Sequence, residues 1–150
     1  MMKVVSGGQT GVDRAALDAA VDSELVTGGW CPKGRIAEDG VIDIKYPLEE
    51  TATSLYQERT RKNVEDSDAT LIINEGKLSG GTALTVKCAQ TAEKPVLVID
   101  PNASSYKQIE TWIKQNNVKV LNVAGPRGST KPELYAKAYD FLRNLFSRFK

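Results

Sequence analysis

Residues 3–20 read KVVSGGQTGVDRAALDAA, and this stretch decides the fold. Lys3 to Ser6 has the apolar pattern of a short buried strand, and Asp13 to Ser23 has the spacing of a helix. The helix carries a narrow face of alanines that lets it sit close to a sheet. Glycines join the strand to the helix, so the stretch predicts the first βα unit of a parallel sheet.

Working outward from this unit, strand and helix patterns alternate along the chain. Strands are predicted at 26–30, which is the weakest, and at 69–74, 96–99 and 118–123. Helices are predicted at 54–65, 82–91 and 104–116, and an amphipathic helix follows residue 130. The pairs Ser54 with Gln57 and Thr130 with Glu133 have capping-box spacing. We expect one domain over residues 1–150: an α/β, Rossmann-like three-layer sandwich around a mostly parallel sheet of about five strands.

Composition excludes several classes of function. The chain has no histidine, which removes Ser/His/Asp triads and the commonest transition-metal ligand. Its net charge is +1, and no apolar run approaches the ~20 residues that cross a bilayer, so neither nucleic acid nor membrane is an expected partner. Cys31 and Cys88 form no CxxC motif, and the N-terminus shows no export signal, so a reduced, cytoplasmic protein is expected.

Glycines are concentrated in the loops that follow predicted strands. They lie at Gly7, Gly8 and Gly11 after the first strand, and at Gly80 and Gly81 after the third. The carboxyl ends of parallel strands share one edge of the sheet, where open α/β proteins bind ligands and helix N-termini present free N–H groups to anions. Two such loops on one edge predict an anionic ligand, although either loop alone can be a structural turn.

The first loop is neither GxGxxG nor GxxxxGK[ST], so a standard dinucleotide or triphosphate site is not supported. The loops also carry cations, which complete the expected pocket for a small anion: Arg14, Lys33, Arg35 and Arg127. The resulting candidate ligand-binding residues from the loops are Gly7, Gly8, Gln9, Thr10, Gly11, Asp13, Arg14, Lys33, Arg35, Ser79, Gly80, Gly81 and Thr82.

Other chemistry-bearing residues have plainer interpretations. A lone cysteine such as Cys31 is more often a small buried apolar group than a reactive thiol. Asp13, Glu38 and Asp39 lack diagnostic metal-ligand spacing, so we expect solvated carboxylates or partners of a helix dipole, and no metal site is predicted. Proton transfer without histidine would depend on groups such as Asp13, for which no partner is visible in the sequence.

Five segments of the chain resemble the putative molybdenum carrier family. They are Ser6 to Asp18, Gly28 to Arg35, Tyr46 to Leu48, Asn63 to Thr70 and Ser79 to Thr82, spread over nearly the whole chain. That family is similar to a Rossmann-like superfamily of molybdenum cofactor carrier proteins, lysine-decarboxylase-like phosphoribohydrolases and DNA-processing proteins. The resemblance implies molybdenum cofactor as a candidate cargo.

The phosphoribohydrolases carry an arginine before the third strand and a Gly-Gly-x-Gly-Thr-x-x-Glu loop after it. Aligning their Gly-Thr with Gly81-Thr82 adds Arg59 to the candidate ligand-binding residues, although arginines on this helix can also face solvent. The alignment puts Thr85 where their catalytic glutamate belongs. Cleaving an N-glycosidic bond needs a carboxylate, so the departure favours binding over catalysis.

We therefore expect a binding or carrier protein for a phosphate-bearing small ligand, without a catalytic residue. The alternative is a nucleotide-processing enzyme such as a nucleoside monophosphate phosphoribohydrolase. A homo-oligomer is expected, because the helix with Ile109 and Trp112 and the C-terminal helix carry large side chains. Gly8→Val is expected to weaken binding at an almost unchanged melting temperature, unless Gly8 needs a positive φ.

Overall fold

A computed structural model describes residues 2–149 as an α/β fold. The strands are β1 Lys3–Val5, β2 Val26–Gly28, β3 Trp30–Cys31, β4 Ile36–Ala37, β5 Gly40–Val41, β6 Glu49–Glu50, β7 Ala69–Ile73, β8 Val96–Ile99 and β9 Val120–Ala124. The helices are α1 Val12–Asp22, α2 Tyr56–Glu65, α3 Gly80–Thr91, α4 Tyr106–Gln115 and α5 Leu134–Phe146, and a 3₁₀ turn covers Ser147–Phe149.

Five strands form the central sheet in the order β2-β1-β9-β7-β8, and every neighbouring pair is parallel. Helix α1 packs against α5, which also contacts α4, whereas α2 packs against α3. The two groups of helices cover opposite faces of the sheet. This arrangement confirms the predicted three-layer sandwich.

The two faces of the sheet differ in chemistry. Side chains alternate between faces along a strand. Leu71, Ile73 and Leu121 belong to the main apolar core, together with the fully buried alanines of α1 that the sequence predicted to pack closely. Thr70 and Asn122 occupy the alternate positions on the α2 and α3 side and are also buried. On that face Thr70 and Asn122 stand among buried apolar side chains such as Val5 and Ile72, and they place polar groups on the sheet surface beneath α2 and α3.

The predicted long loop at 32–47 is held by Arg35. Its guanidinium donates hydrogen bonds to the backbone carbonyls of Ile42, Asp43, Tyr46 and Leu48 at 2.9–3.2 Å. A small second core forms beneath the loop and includes Cys31, which is fully buried as the sequence predicted. Arg35 therefore acts as a structural clamp for this loop.

Three local predictions are wrong. The strand at 26–30 divides into β2 and β3 at Gly29, whose φ of +129° departs from extended backbone. Only glycine fits there, because an added Cβ would lie 2.2 Å from the Ser6 carbonyl oxygen. Neither predicted capping box forms: α2 begins after Leu55 and α5 after Glu133, each without a side-chain cap. Helix α2 therefore begins one residue later than the Ser54 capping box predicted. The Glu58 carboxylate accepts from the N–H and the hydroxyl of Thr53, and not from Ser54.

Gly8→Val is expected to destabilise the protein by about 2 kcal/mol or more, because Gly8 has the positive φ that was the exception to an unchanged melting temperature. Gly8 has φ +76°, and an added Cβ would lie 2.5 Å from Cδ1 of buried Leu48. Thermal denaturation checks this against Gly81→Ala, where an added Cβ meets nothing within 4 Å. A Gly8→Val protein melting within a few degrees of the wild type would contradict it.

The large side chains behind the oligomer prediction lie mostly inside one subunit. Ile109, Phe141 and Leu145 are buried in the main core, and Trp112 packs partly against it. The homo-oligomer stays a prediction, but these side chains no longer support it, because they pack within the core of the chain. Across residues 2–149, no helix combines the length and apolar character needed to cross a membrane.

Candidate functional site

A cavity of about 430 Å³ opens at the carboxyl ends of β1, β7 and β9. It lies where the chain turns from β1 toward one edge of the sheet and from β7 toward the other, the position at which open α/β sheets bind ligands. Its wall is formed by the loops after these strands together with α2 and α3. Of the predicted site residues, the wall includes Gly7, Gln9, Asp13, Arg59, Ser79, Gly80, Gly81 and Thr82.

Most of the described backbone N–H groups of the first glycine loop donate to acceptors of the protein itself. The N–H of Gly8 donates to Ser6 Oγ, that of Thr10 to Gln9 Oε1, and that of Val12 to the Pro126 carbonyl. The backbone N–H groups of Gln9 and Gly125 bind the Asp13 carboxylate. A side chain of the protein thus occupies the place predicted for a ligand anion, which favours the structural-turn interpretation of this loop.

The second glycine loop is open. Helix α3 begins after Ser79, and no side chain caps its first N–H groups, which have no acceptor within the helix. An added Cβ at Gly80 or Gly81 would meet nothing within 4 Å. The cavity therefore meets the positive end of a helix dipole, where an anion is stabilised.

Among residues 2–149, four cationic side chains line the cavity, together with one carboxylate, that of Asp13. The cations are Arg59, Lys77, Arg127 and Lys131. Of these the sequence named Arg59, through the resemblance, and Arg127 as a loop cation. Lys77 and Lys131 follow β7 and β9 in loops that reach the same edge of the sheet.

Three predicted cations lie outside the cavity wall. Arg14 donates to the Gly8 carbonyl at 2.9–3.0 Å and pairs with Asp39 at 3.0 Å, which holds the pKa of that carboxyl below its usual range. Arg35 is the loop clamp described above. Lys33 follows β3, on a segment tied by its backbone N–H to the Thr53 carbonyl. The structure does not bring these three side chains to the predicted anion pocket.

Asp13 and Arg59 form a buried pair on the cavity wall. Their side chains are 9% and 12% exposed, and Arg59 Nη1 lies 3.8 Å from Asp13 Oδ2. The same Nη1 donates to the Gly7 carbonyl at 2.9 Å, and the guanidinium stacks on Tyr56. Burial raises the pKa of the Asp13 carboxyl to about 6, although the charge of Arg59 opposes the rise. Asp13 lies in the first turn of α1, as the helix-dipole alternative predicted, but it is buried and paired with Arg59, so the alternative of a solvated carboxylate is wrong for this residue.

Glu38 ties three loops together beside the cavity. Its carboxylate accepts hydrogen bonds from the Ser129 hydroxyl at 2.6 Å, the Ser129 N–H at 2.9 Å and the Thr10 hydroxyl. These bonds, with the charge of Arg127 nearby, lower the pKa of Glu38 to about 2. Glu38 is thus a bound structural carboxylate, not a solvated one. The side chain of Gln9 accepts from the Glu38 N–H and fixes the same contact.

Sequence reasoning missed two polar groups at the inner end of the cavity, Asn74 and Asn122, and named a third, Thr85, only as the replacement of a glutamate. Asn74, Thr85 and Asn122 line it and are 5%, 5% and 2% exposed. The available signal was a polar residue inside a strand that otherwise reads as buried, at Asn122, and another directly after β7, at Asn74. Such residues are costly to bury unless they are hydrogen-bonded. No group of three or more His, Cys, Asp or Glu within residues 2–149 is placed to hold a metal ion.

A parallel sheet with a polar, cationic cavity at the carboxyl ends of its central strands is the arrangement of Rossmann-like ligand-binding domains. The chain belongs to the circularly permutated YpsA SLOG family, whose model matches residues 4–146. This agrees with the predicted superfamily.

Two solved structures are similar to this chain. One, named "Putative molybdenum carrier protein" and from Syntrophus aciditrophicus SB, is 47% identical, covers 97% of this chain and 94% of its own, and has a TM-score of 0.90. The other, (E)-4-hydroxy-3-methyl-but-2-enyl diphosphate reductase, is 16% identical over 95% of this chain and 59% of that chain. Its TM-score of 0.42 is too low to carry an argument. No curated protein matches the sequence.

Proposed function

We propose that the protein binds or carries a small molecule that bears a phosphate group. The observation that carries the proposal is the cavity at the uncapped N-terminus of α3, lined by four cations and one carboxylate. Free helix N–H groups and several cations together are a common binding arrangement for phosphate. A volume of about 430 Å³ falls within the range of small-molecule sites and exceeds the size of phosphate alone.

Molybdenum cofactor is the cargo that the name of the 47% identical structure supports. It is a pterin with a phosphate and a metal-dithiolene group. The α3 N-terminus fits the phosphate, and the oxygens of Asp13 and Asn74 fit N–H groups of a pterin. Neither Cys31 nor Cys88 is on the described cavity wall, so the cofactor's own dithiolene would hold the metal.

The binding proposal is tested by native mass spectrometry on freshly purified protein, followed by titration with inorganic phosphate and ribose 5-phosphate. A co-purifying molecule below about one kilodalton, or binding of either probe that competes with sulfate, is the expected result. A protein that carries nothing and binds neither probe at millimolar concentration would overturn the proposal.

Asp13 favours a second candidate function, an enzyme acting on nucleoside monophosphates. The carboxylate that position 85 lacks is present across the cavity, buried beside Arg59 and with a pKa of about 6. A buried carboxyl with a raised pKa in a cavity is a typical catalytic arrangement, although structural ion pairs shift pKa values as well.

Incubation with adenosine and guanosine monophosphates separates the two functions. If the protein is a binder, chromatography shows little free base after several hours, because Thr85 cannot stabilise an oxocarbenium-like state. Brisk release that Asp13→Asn and Arg59→Ala both abolish would establish the enzyme. Release that neither substitution changes would come from a contaminant.

A further inference from the structure

We propose that the inner end of the cavity is a second subsite, which recognises a neutral group rich in O–H or N–H donors on the same molecule as the phosphate. The inference rests on the proposed function and specifies its ligand class. It places the ligand with its phosphate outward, at the α3 N-terminus, and its donor-rich group inward, against the sheet.

Asn74 supplies the first argument. Its Nδ2 donates to the Gly76 carbonyl at 3.0 Å, and because a carbonyl only accepts, this bond fixes the orientation of the amide. The oxygen Oδ1 is therefore left as a free acceptor on a residue that is 5% exposed. Within residues 2–149, no fully enclosed side-chain nitrogen or oxygen lacks a partner, so this oxygen opens onto the cavity that Asn74 lines.

Asn122 and Thr85 extend the same surface. Asn122 is in the interior of β9, 2% exposed, and its Nδ2 lies 3.2 Å from the Thr70 hydroxyl. The Thr85 hydroxyl donates its hydrogen to the Gly81 carbonyl at 2.9 Å, so toward the cavity it can only accept. The Asp13 carboxylate adds oxygens that only accept when ionised. The inner wall thus offers acceptors, and the ligand must supply donors.

The positively charged side chains of the cavity are more exposed than these acceptors. Lys77 and Arg127 are exposed and stand at the outer end of the cavity, whereas Asn74, Thr85 and Asn122 are buried. The Arg59 side chain is 12% exposed, and its guanidinium is already held by the Gly7 carbonyl and by Asp13. A second phosphate at the inner end would meet acceptor oxygens, whereas hydroxyl or ring N–H groups would satisfy them.

Calorimetric titration with four probes tests the proposal. Ribose 5-phosphate offers hydroxyl donors and guanosine monophosphate adds N–H donors, whereas n-butyl phosphate has the anion and carbon bulk without them. Inorganic phosphate reports the outer subsite alone. We expect at least one of the two donor-bearing probes to bind about tenfold more tightly than n-butyl phosphate, and the better one identifies the source of the donors.

Asn74→Ala and Asn122→Val are each expected to reduce that preference severalfold while leaving the affinity for inorganic phosphate unchanged. Asn144→Ala is the matched control, since its Nδ2 also donates to a backbone carbonyl at 3.0 Å but on the exposed side of α5. Circular dichroism verifies that each variant folds. If a variant does not fold, the comparison of the four probes on the wild-type protein still tests the proposal.

Equal affinity of the wild type for n-butyl phosphate and both donor-bearing probes would overturn the second subsite and leave the phosphate site intact. A preference that persists unchanged in both folded asparagine variants would overturn it as well. Failure of all four probes to bind would instead overturn the proposed function, and the subsite with it.

Discussion

Asp13→Asn is expected to stabilise the protein by about 3 kcal/mol at pH 7.5. The pKa of the Asp13 carboxyl is about 6 in the folded protein against an ordinary value of 3.8, so the fold prefers this group uncharged. Asparagine mimics the neutral acid and removes the cost of burying the charge. A residue whose removal stabilises the fold is typical of a functional site.

The sign of the pH dependence follows from the same shift. Because the folded state holds this proton more tightly than the unfolded chain, stability contributed by Asp13 is present below pH 4 and is lost as pH rises through 6. Glu38 acts in the opposite sense, but its window lies between about pH 2 and 4.5. The chain has no histidine, so the interval from pH 5 to 7 reports mainly on Asp13.

Urea denaturation of wild type and Asp13→Asn at pH 5 and pH 7.5 measures both effects. The wild type is expected to lose stability between these pH values, and the variant to lose much less. Asp140→Asn, on the exposed side of α5, is the matched control and should behave as the wild type does. A variant less stable than the wild type at pH 7.5 would show that Asp13 is a structural ion-pair partner, as its hydrogen bonds from Gln9 and Gly125 would then imply.

The sequence was sufficient for the architecture because its signals are local. Alternating apolar strands and amphipathic helices specify a covered parallel sheet, and the strand predicted at 96–99 coincides with β8. Boundaries failed where a distant contact decides them. The strand breaks at Gly29, which has a positive φ and lies against the backbone of Ser6, and no pattern within residues 26–30 shows that approach.

The sequence predicted where the candidate site lies but not which cations line it. Glycine loops after parallel strands indicated the edge of the sheet at which the cavity opens, yet the identity of the cations on its wall depended on tertiary structure. Arg14, in the first turn of α1, and Arg35, in the loop after β3, donate to backbone carbonyls. Lys131 instead reaches the cavity from the loop after β9. The pairing of Asp13 with Arg59 joins α1 to α2 across the sheet edge, and neither residue carries a local sign of it.

Arg59→Ala is expected to weaken the binding of ribose 5-phosphate by tenfold or more, because it removes a cation of the cavity wall whose side chain is only 12% exposed. It should also raise the pKa of Asp13 further above 6, since the charge of Arg59 is what opposes the effect of burial. Calorimetry measures the affinity, and carbon-detected NMR of the Asp13 carboxyl measures the pKa.

Two further variants distinguish the effect of the Arg59 charge from the effect of where its guanidinium lies. Arg61→Ala removes a guanidinium that is 55% exposed and pairs only with Glu65 on the same helix, so it should change affinity less than twofold. Gly7→Ala keeps the charge of Arg59 but would place a Cβ 2.5 Å from its Nη1, which forces the guanidinium to move. An intermediate loss of affinity is expected there. Wild-type affinity in both Arg59→Ala and Gly7→Ala would remove Arg59 from the binding site and leave the α3 N-terminus with Lys77, Arg127 and Lys131 as the phosphate site.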